Sequence, residues 1–273
     1  MPAPSRSRAS IAPPGPLFAL FLFACGGGPP VEDVQSLSEP LEQCATGWVE
    51  GVDVSDAQGA IDWAAVRAAG VRFAFVKATQ GTYDAQSTFA ANWQGPKAAG
   101  VLRGAYHFFD PTEDGAAQAA HFLEILGPVQ AGDLPPMLDL ECPDGDPGCV
   151  YAGRSGQVDP SLLRARVDAF LAAVEARAGT KPILYTFPSY FAASGVDAGG
   201  LEVYPLFVAN VGASGAALAG SCLAVPAPWA AAALWQYTWK RSVSGVAGDV
   251  DGDRFLGDGA GLAKLAGIVP GCP

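Results

Sequence analysis

Two carboxylates two residues apart close an apolar run, Pro136-Met137-Leu138-Asp139-Leu140-Glu141. In an extended strand, residues i and i+2 share a face, with alpha carbons roughly 6.5 Å apart. Like charges held that close repel, so one of the two pKa values is expected to rise. The raised group can then act as an acid near neutral pH. An acid beside a second carboxylate is what glycosidic cleavage needs. One group protonates the leaving oxygen, and the other stabilises or attacks the anomeric carbon. The spacing is also short and common, and a solvated strand end or a cation site would fit it.

Two more carboxylates stand in similar settings. Asp53 interrupts the apolar run Gly51-Val52-Asp53-Val54-Ser55, and a buried lone carboxylate is costly unless paired. Asp251 lies in Gly248-Asp249-Val250-Asp251-Gly252-Asp253. That run differs from a calcium loop: its glycine is displaced, and position 12 would be Ala260 rather than Glu. Tyr106, Phe109, Tyr185, Trp235 and Tyr237 fall at or near strand ends. Aromatic rings there can stack on sugar faces, although core packing explains any single one as well. His107 lies inside a strand, either as a cleft donor or as a satisfied core histidine, with the balance slightly toward the core.

Strands and helices must position these groups. Apolar runs at 51–55, 71–77, 102–109, 136–141 and 183–187 alternate with helical segments at 62–69, 89–99, 116–126 and 161–178. Asp62 reads as an N-cap and Gly70 as a stop, and Pro96 is expected to disturb its helix. Leu162, Leu163, Val167, Phe170, Leu171 and Val174 mark one face of the last helix. Helices then fade, and 206–209, 233–237 and 246–251 read as three further strands. Such alternation predicts an α/β fold with a parallel sheet. Eight strands over this length predict a TIM-like barrel, whose chemistry sits at the C-terminal ends of its strands. Asp53, Asp139, Glu141 and Asp251 all fall at such ends.

The bulk properties bound the rest. Half of the 273 residues are hydrophobic and the formal net charge is −11. Basic residues are scattered, so there is no stripe to neutralise phosphates and no nucleic-acid partner is expected. No CxxC spacing or His/Cys cluster points to zinc, and there are two histidines, so no metal is expected.

Arg6 and Arg8 precede a short apolar stretch at 17–24, which reads as an export signal over residues 1–25. Leu22-Phe23-Ala24-Cys25 resembles a bacterial lipobox, although Phe23 is bulky for it. The resemblance implies lipid attachment at Cys25 and a membrane contact through that anchor alone. Residues 26–46 are polar, Gly/Pro-rich and aperiodic, and read as a flexible tether before a domain over 47–273. Cys142 and Cys149 bracket a turn-rich hexapeptide that can bring them within bridging reach. Cys44, Cys222 and Cys272 have no pairing that the sequence decides.

Six motifs in order resemble glycoside hydrolase family 25, the Chalaropsis-type lysozymes. They are Gly51-Val52-Asp53-Val54-Ser55 with Gln58-Gly59-Ala60-Ile61-Asp62-Trp63, Phe75-Val76-Lys77-Ala78-Thr79, Gly104-Ala105-Tyr106-His107-Phe108, Leu138-Asp139-Leu140-Glu141, Trp235-Gln236-Tyr237-Thr238 and Val250-Asp251. The resemblance implies a barrel of eight strands with about five helices. It also implies hydrolysis of the β-1,4 bond between N-acetylmuramic acid and N-acetylglucosamine in peptidoglycan, with no metal or organic cofactor; the exported protein is expected to be a monomer. Glu141 would be the general acid and Asp139 the second carboxylate, with Asp53 and Asp251 completing an acidic floor.

The chain departs from the family pattern at Gln80, where Glu is usual, and at Asn210, where an aromatic often follows the alanine. A chitinase-like family 18 hydrolase also uses Asp-x-Glu, but it needs Asp where this chain has Met137 and Leu134. A non-catalytic peptidoglycan-binding lipoprotein is the remaining alternative.

Overall fold

The computed structural model describes residues 40–141 and 158–268. The export signal, Cys25, Cys142, Cys149 and Cys272 lie outside the described residues, as does most of the expected tether.

Eight strands close into a barrel. In chain order the strands are β1 (Leu41–Cys44), β2 (Val49–Val54), β3 (Phe73–Gln80), β4 (Asp84–Ala85), β5 (Leu102–Phe108), β6 (Met137–Asp139), β7 (Ile183–Thr186), β8 (Leu206–Ala209), β9 (Cys222–Val225), β10 (Leu234–Arg241) and β11 (Val250–Phe255). The ring runs β2-β3-β5-β6-β7-β8-β10-β11 and returns to β2, with β4 added beside β3. Every neighbour pair in the ring is parallel except those made by β11, which is antiparallel to both β10 and β2.

Five helices cover the parallel part: α1 (Trp63–Ala68), α2 (Phe89–Ala99), α3 (Gly115–Leu126), α4 (Pro160–Ala178) and α5 (Tyr190–Ser194). A sixth, α6 (Gly259–Leu265), follows the last strand. Their starts follow from local chemistry. The Asp62 carboxylate accepts from the backbone N–H of Ala64 and Ala65, each at 3.1 Å, and Asp159 caps α4 with Pro160 at its first position. Gly100 and Gly179 end α2 and α4 in the left-handed conformation that favours glycine.

Strand alternation sorts side chains into two cores. Phe73, Phe75, Met137, Ile183, Phe207 and Leu234 fill the barrel interior. Val52, Val76, Leu138, Leu184 and Val208 point outward and meet Phe122, Val167, Phe170 and Val174 on the helices. At Gly115 a Cβ would lie 1.8 Å from the Arg166 carbonyl oxygen, so only glycine lets α3 and α4 approach this closely.

Three expectations need correction. The last strand was expected at 246–251 but spans 250–255, so Asp251 lies near its start. The link from β10 is a short hairpin that reverses the chain, so the start of β11 reaches the same barrel mouth as the ends of its neighbours. Pro96 does not break α2, which runs on to Ala99 and closes through the N–H of Gly100 and Val101 onto the carbonyls of Lys97 and Pro96.

The expected tether over 26–46 includes β1, which pairs antiparallel with β9 and is joined to it by the Cys44–Cys222 disulfide. Leu41–Cys44 gives no periodic signal of its own, because its partner is 178 residues away in sequence.

Candidate active site

The barrel mouth opens into a cavity of about 360 Å³ whose lining includes Asp53, Lys77, Asp139, Glu141, Gln236 and Asp251. Strand parity brings these groups together. Asp53 follows Gly51 on the inner face of β2, and Asp139 follows Met137 on β6. Glu141 lies two residues further on. Asp251 pairs with Asp53 across the β11–β2 ladder. The four carboxylates singled out by the sequence therefore share one cavity.

Their environment raises their affinity for protons. Burial pushes Glu141 up to about 8, the Asp53 charge adds to this, and Lys77 opposes it. Burial also carries Asp139 well above the usual carboxylate range, again with Glu141 adding and Lys77 opposing. Asp251 reaches about 9, from burial first and then Asp53. Asp53 reaches about 6, because hydrogen bonds from Gln236, Asp253 and Asp251 partly offset its burial. A carboxyl protonated at neutral pH beside a groove is the state that general-acid catalysis requires. Oδ1 of Asp139 is buried with no hydrogen-bond partner among the described residues, so an acceptor faces a site where a ligand donor can arrive.

Gln236 organises one wall. Its Nε2 donates to Asp53 Oδ2 at 2.8 Å, and its Oε1 accepts from Tyr185 Oη at 2.8 Å and Trp239 Nε1 at 2.9 Å. These three bonds fix the amide orientation and hold the Asp53 carboxylate. Lys77 forms the opposite feature, a cation partly buried in an acidic cavity. Its Nζ donates to Gln80 Oε1 at 2.8 Å and lies 4.7 Å from the centre of the Phe108 ring. Burial lowers the Lys77 pKa, while Asp139 works to restore it. Gln80, the departure from the family pattern, thus accepts from Lys77 without adding a charge of its own.

The expected aromatic contacts divide by strand face. Tyr106 and Tyr185 line the cavity. His107, Phe109, Trp235 and Tyr237 do not; the places of Phe109, Trp235 and Tyr237 correct the expected sugar contacts, and His107 takes the core place that the sequence slightly favoured rather than a cleft contact. His107 is fully buried toward the helices, 2.8 Å from Thr79 Oγ1 through Nδ1 and 3.0 Å from Gln118 Oε1 through Nε2, and stacked on Phe170. Burial lowers its pKa to about 3, so it stays neutral. Phe109 packs edge-on against Phe170 in the same outer core.

Trp235 and Tyr237 flank Gln236 and therefore face away from it. Trp235 donates from Nε1 to the Asn210 carbonyl at 2.7 Å, and Tyr237 stacks on the Arg254 guanidinium. Asn210, at the second departure from the family pattern, also accepts from Ala224 N–H through Oδ1 at 2.9 Å and so ties down β9.

The cavity includes residues that sequence reasoning missed: Ser55, Lys77, Phe108, Met137, Phe187, Gln236 and Trp239. Parity could have found most of them. Lys77 shares the face of Phe73 and Phe75, Phe108 that of Tyr106, and Phe187 that of Tyr185. Trp239 could not be found this way, because register shifts between Gln236 and Arg241 change the phase of β10.

Comparisons with known proteins point the same way. The model of glycosyl hydrolases family 25 matches residues 52–246. Lysozyme M1 of Streptomyces globisporus is 35% identical over 225 residues, which is 81% of this chain and 72% of that protein. The N,O-diacetylmuramidase of Chalaropsis sp is 32% identical over 223 residues, covering 77% of this chain and 100% of that one. The crystal structure of the bacterial lysozyme from Streptomyces coelicolor is similar with a TM-score of 0.70 at 33% identity, over 82% of this chain and 100% of that chain.

Proposed function

The chain belongs to glycosyl hydrolase family 25 and is a muramidase acting on peptidoglycan, and from that premise we propose how its residues cut the glycan. Glu141 is the general acid that protonates the leaving oxygen of the β-1,4 bond after N-acetylmuramic acid. Asp139 is the second carboxylate, placed to stabilise the reacting sugar or its acetamido group. Asp53 and Asp251 form the floor of the site, and Tyr106, Tyr185 and Trp239 supply its walls.

One observation carries this reading. Four carboxylates from β2, β11 and the end of β6 line one cavity, and Glu141 there is raised to about 8. A protonated acid is thereby available where a glycosidic oxygen can lie. The unpartnered Asp139 oxygen supports the role given to Asp139, since an acetamido N–H is the donor such an acceptor lacks. Reducing-sugar release from purified peptidoglycan tests the reading. Loss of release in Glu141→Gln, with binding retained, is expected. Binding without turnover in the wild type would instead favour the non-catalytic alternative.

We further propose that the protein is exported through residues 1–25, lipidated at Cys25, and tethered by the polar stretch that follows. It acts as a monomer on glycan strands without nucleic acid or cofactor. A disulfide between Cys142 and Cys149, directly after Glu141, would shape the cleft rim. Mass analysis of the mature N-terminus and of non-reduced peptides checks both covalent features.

A further inference from the structure

Asp253 lies on β11 one inward position beyond Asp251. In register it sits between Gly51 on β2 and Gln236 on β10, and its relative exposure is 0%. Neither of its carboxylate oxygens accepts a hydrogen bond from an N–H or from an alcohol or phenol O–H among the described residues. A buried carboxylate without donors is strongly disfavoured, whereas a carboxylic acid brings its own O–H and needs only an acceptor.

Among the described residues the neighbouring polar side chains are otherwise engaged, and the carboxylates of β2 and β11 remain as acceptors. Gln236 has committed its Nε2 to Asp53 and its Oε1 to Tyr185 and Trp239, so its amide cannot turn to Asp253 without breaking all three bonds. Arg241, the cation whose field reaches Asp253, is held by Glu50 at 2.8 Å and by the Gly51 carbonyl at 3.0 Å. On β2 the inward residue next to Gly51 is Asp53, the direct register partner of Asp251 and the same-face diagonal neighbour of Asp253, so the three carboxyl groups share one face of the ladder. Across the cavity the titratable groups facing this trio are Asp139 and Glu141, Lys77, Tyr106 and Tyr185.

We propose that Asp253 is a positioning residue, a carboxylic acid held protonated beneath the cleft whose O–H donates to Asp53. Asp53 is then the acceptor and the anion of the trio, held by Asp253, Asp251 and Gln236 together. Burial raises Asp253 well above the usual carboxylate range, with Asp53 and Asp251 adding to it, while Asp53 itself is held at about 6. Around neutral pH one negative charge is therefore fixed at Asp53. At alkaline pH a second ionisation turns a donor into a repelling neighbour and loosens the floor of the site.

Infrared difference spectra of wild type against Asp253→Asn, without substrate, test the protonation state directly. A protonated carboxyl C=O band that persists through neutral pH and is absent from the variant is expected. A carboxylate band for Asp253 at neutral pH overturns the proposal, whatever the enzyme does. The activity arm rests on the muramidase reading. Asp253→Asn keeps a donor at every pH, so it should retain neutral-pH turnover, with the alkaline limb still set by Glu141 at about 8. Asp253→Leu lacks a donor and should lower kcat by roughly tenfold to a hundredfold, the worth of one hydrogen bond to a charged group. Equal loss in both variants, or wild-type kcat and pH profile in Asp253→Leu, overturns the proposal. A wild type inert on peptidoglycan would sink the muramidase reading and leave the infrared arm to decide this one.

Discussion

Replacing Glu141 with Gln should make the protein more stable at neutral pH while it removes the acid. Glu141 rises from an ordinary 4.5 to about 8 in the folded chain. A carboxyl raised in this way keeps its proton when folded and has lost it when unfolded. The stability linked to that proton is complete below about pH 4.5 and is lost as the pH rises toward 8. Each unit is worth about 1.4 kcal/mol, so the wild type gives up roughly 3 kcal/mol between pH 4.5 and 7. Glu141 keeps partial solvent contact, which reduces the expected difference to about 2 kcal/mol.

Glutamine carries no such linkage. Thermal melts of both proteins at pH 4 and pH 7 should therefore show matching midpoints at pH 4. At pH 7 the variant should melt about 4–8 °C higher. The same offset at both pH values would refute the reasoning, because a pH-independent change cannot come from proton linkage. A variant less stable than wild type at pH 7 would refute it as well.

Other consequences follow from the packing. Replacing both Cys44 and Cys222 by Ser opens a loop of 178 residues and should cost up to about 5 kcal/mol in denaturant unfolding, with glycan cleavage retained. An unchanged unfolding midpoint would show that β1 and β9 hold together without the bridge. Trp239→Ala should raise KM on soluble glycan fragments roughly two- to tenfold. Tyr237→Ala should leave KM near wild type, because its ring lies on the outer face. A KM effect in Tyr237→Ala alone would reverse that assignment. Gly115→Ala should destabilise the protein by about 1–3 kcal/mol in thermal melts, since the added Cβ meets backbone rather than a side chain that can move.

Much of the barrel was legible because its strands carry strong local signals. The runs at 73–80, 102–108, 183–186 and 206–209 are apolar and bounded by turn residues, and four helices, α2 to α5, fall between them. The carboxylates were legible because each interrupts such a run. What escaped is information that is not local. The face on which Trp235 and Tyr237 lie depends on where the inward phase of β10 begins, and aromatic type does not report that phase. His107 shares the outward face of Ala105, which places it among Phe122 and Phe170. β1 was hidden because its partner comes 178 residues later in the chain. The direction of β11 was hidden because a strand pattern reads the same forward and backward. Asp253 was legible as a residue but not as a buried one, since only the closed barrel surrounds it with Gly51 and Gln236.

Mass-resolved release of reducing sugar from purified peptidoglycan, by wild type and by Glu141→Gln at neutral pH, tests the central claim most directly. The wild type should release fragments with N-acetylmuramic acid at the reducing end. Glu141→Gln should release them at least about a hundredfold more slowly while still binding the glycan and keeping its fold. Full activity in Glu141→Gln would contradict the assignment of the acid, and wild-type fragments ending in N-acetylglucosamine would contradict the assigned bond.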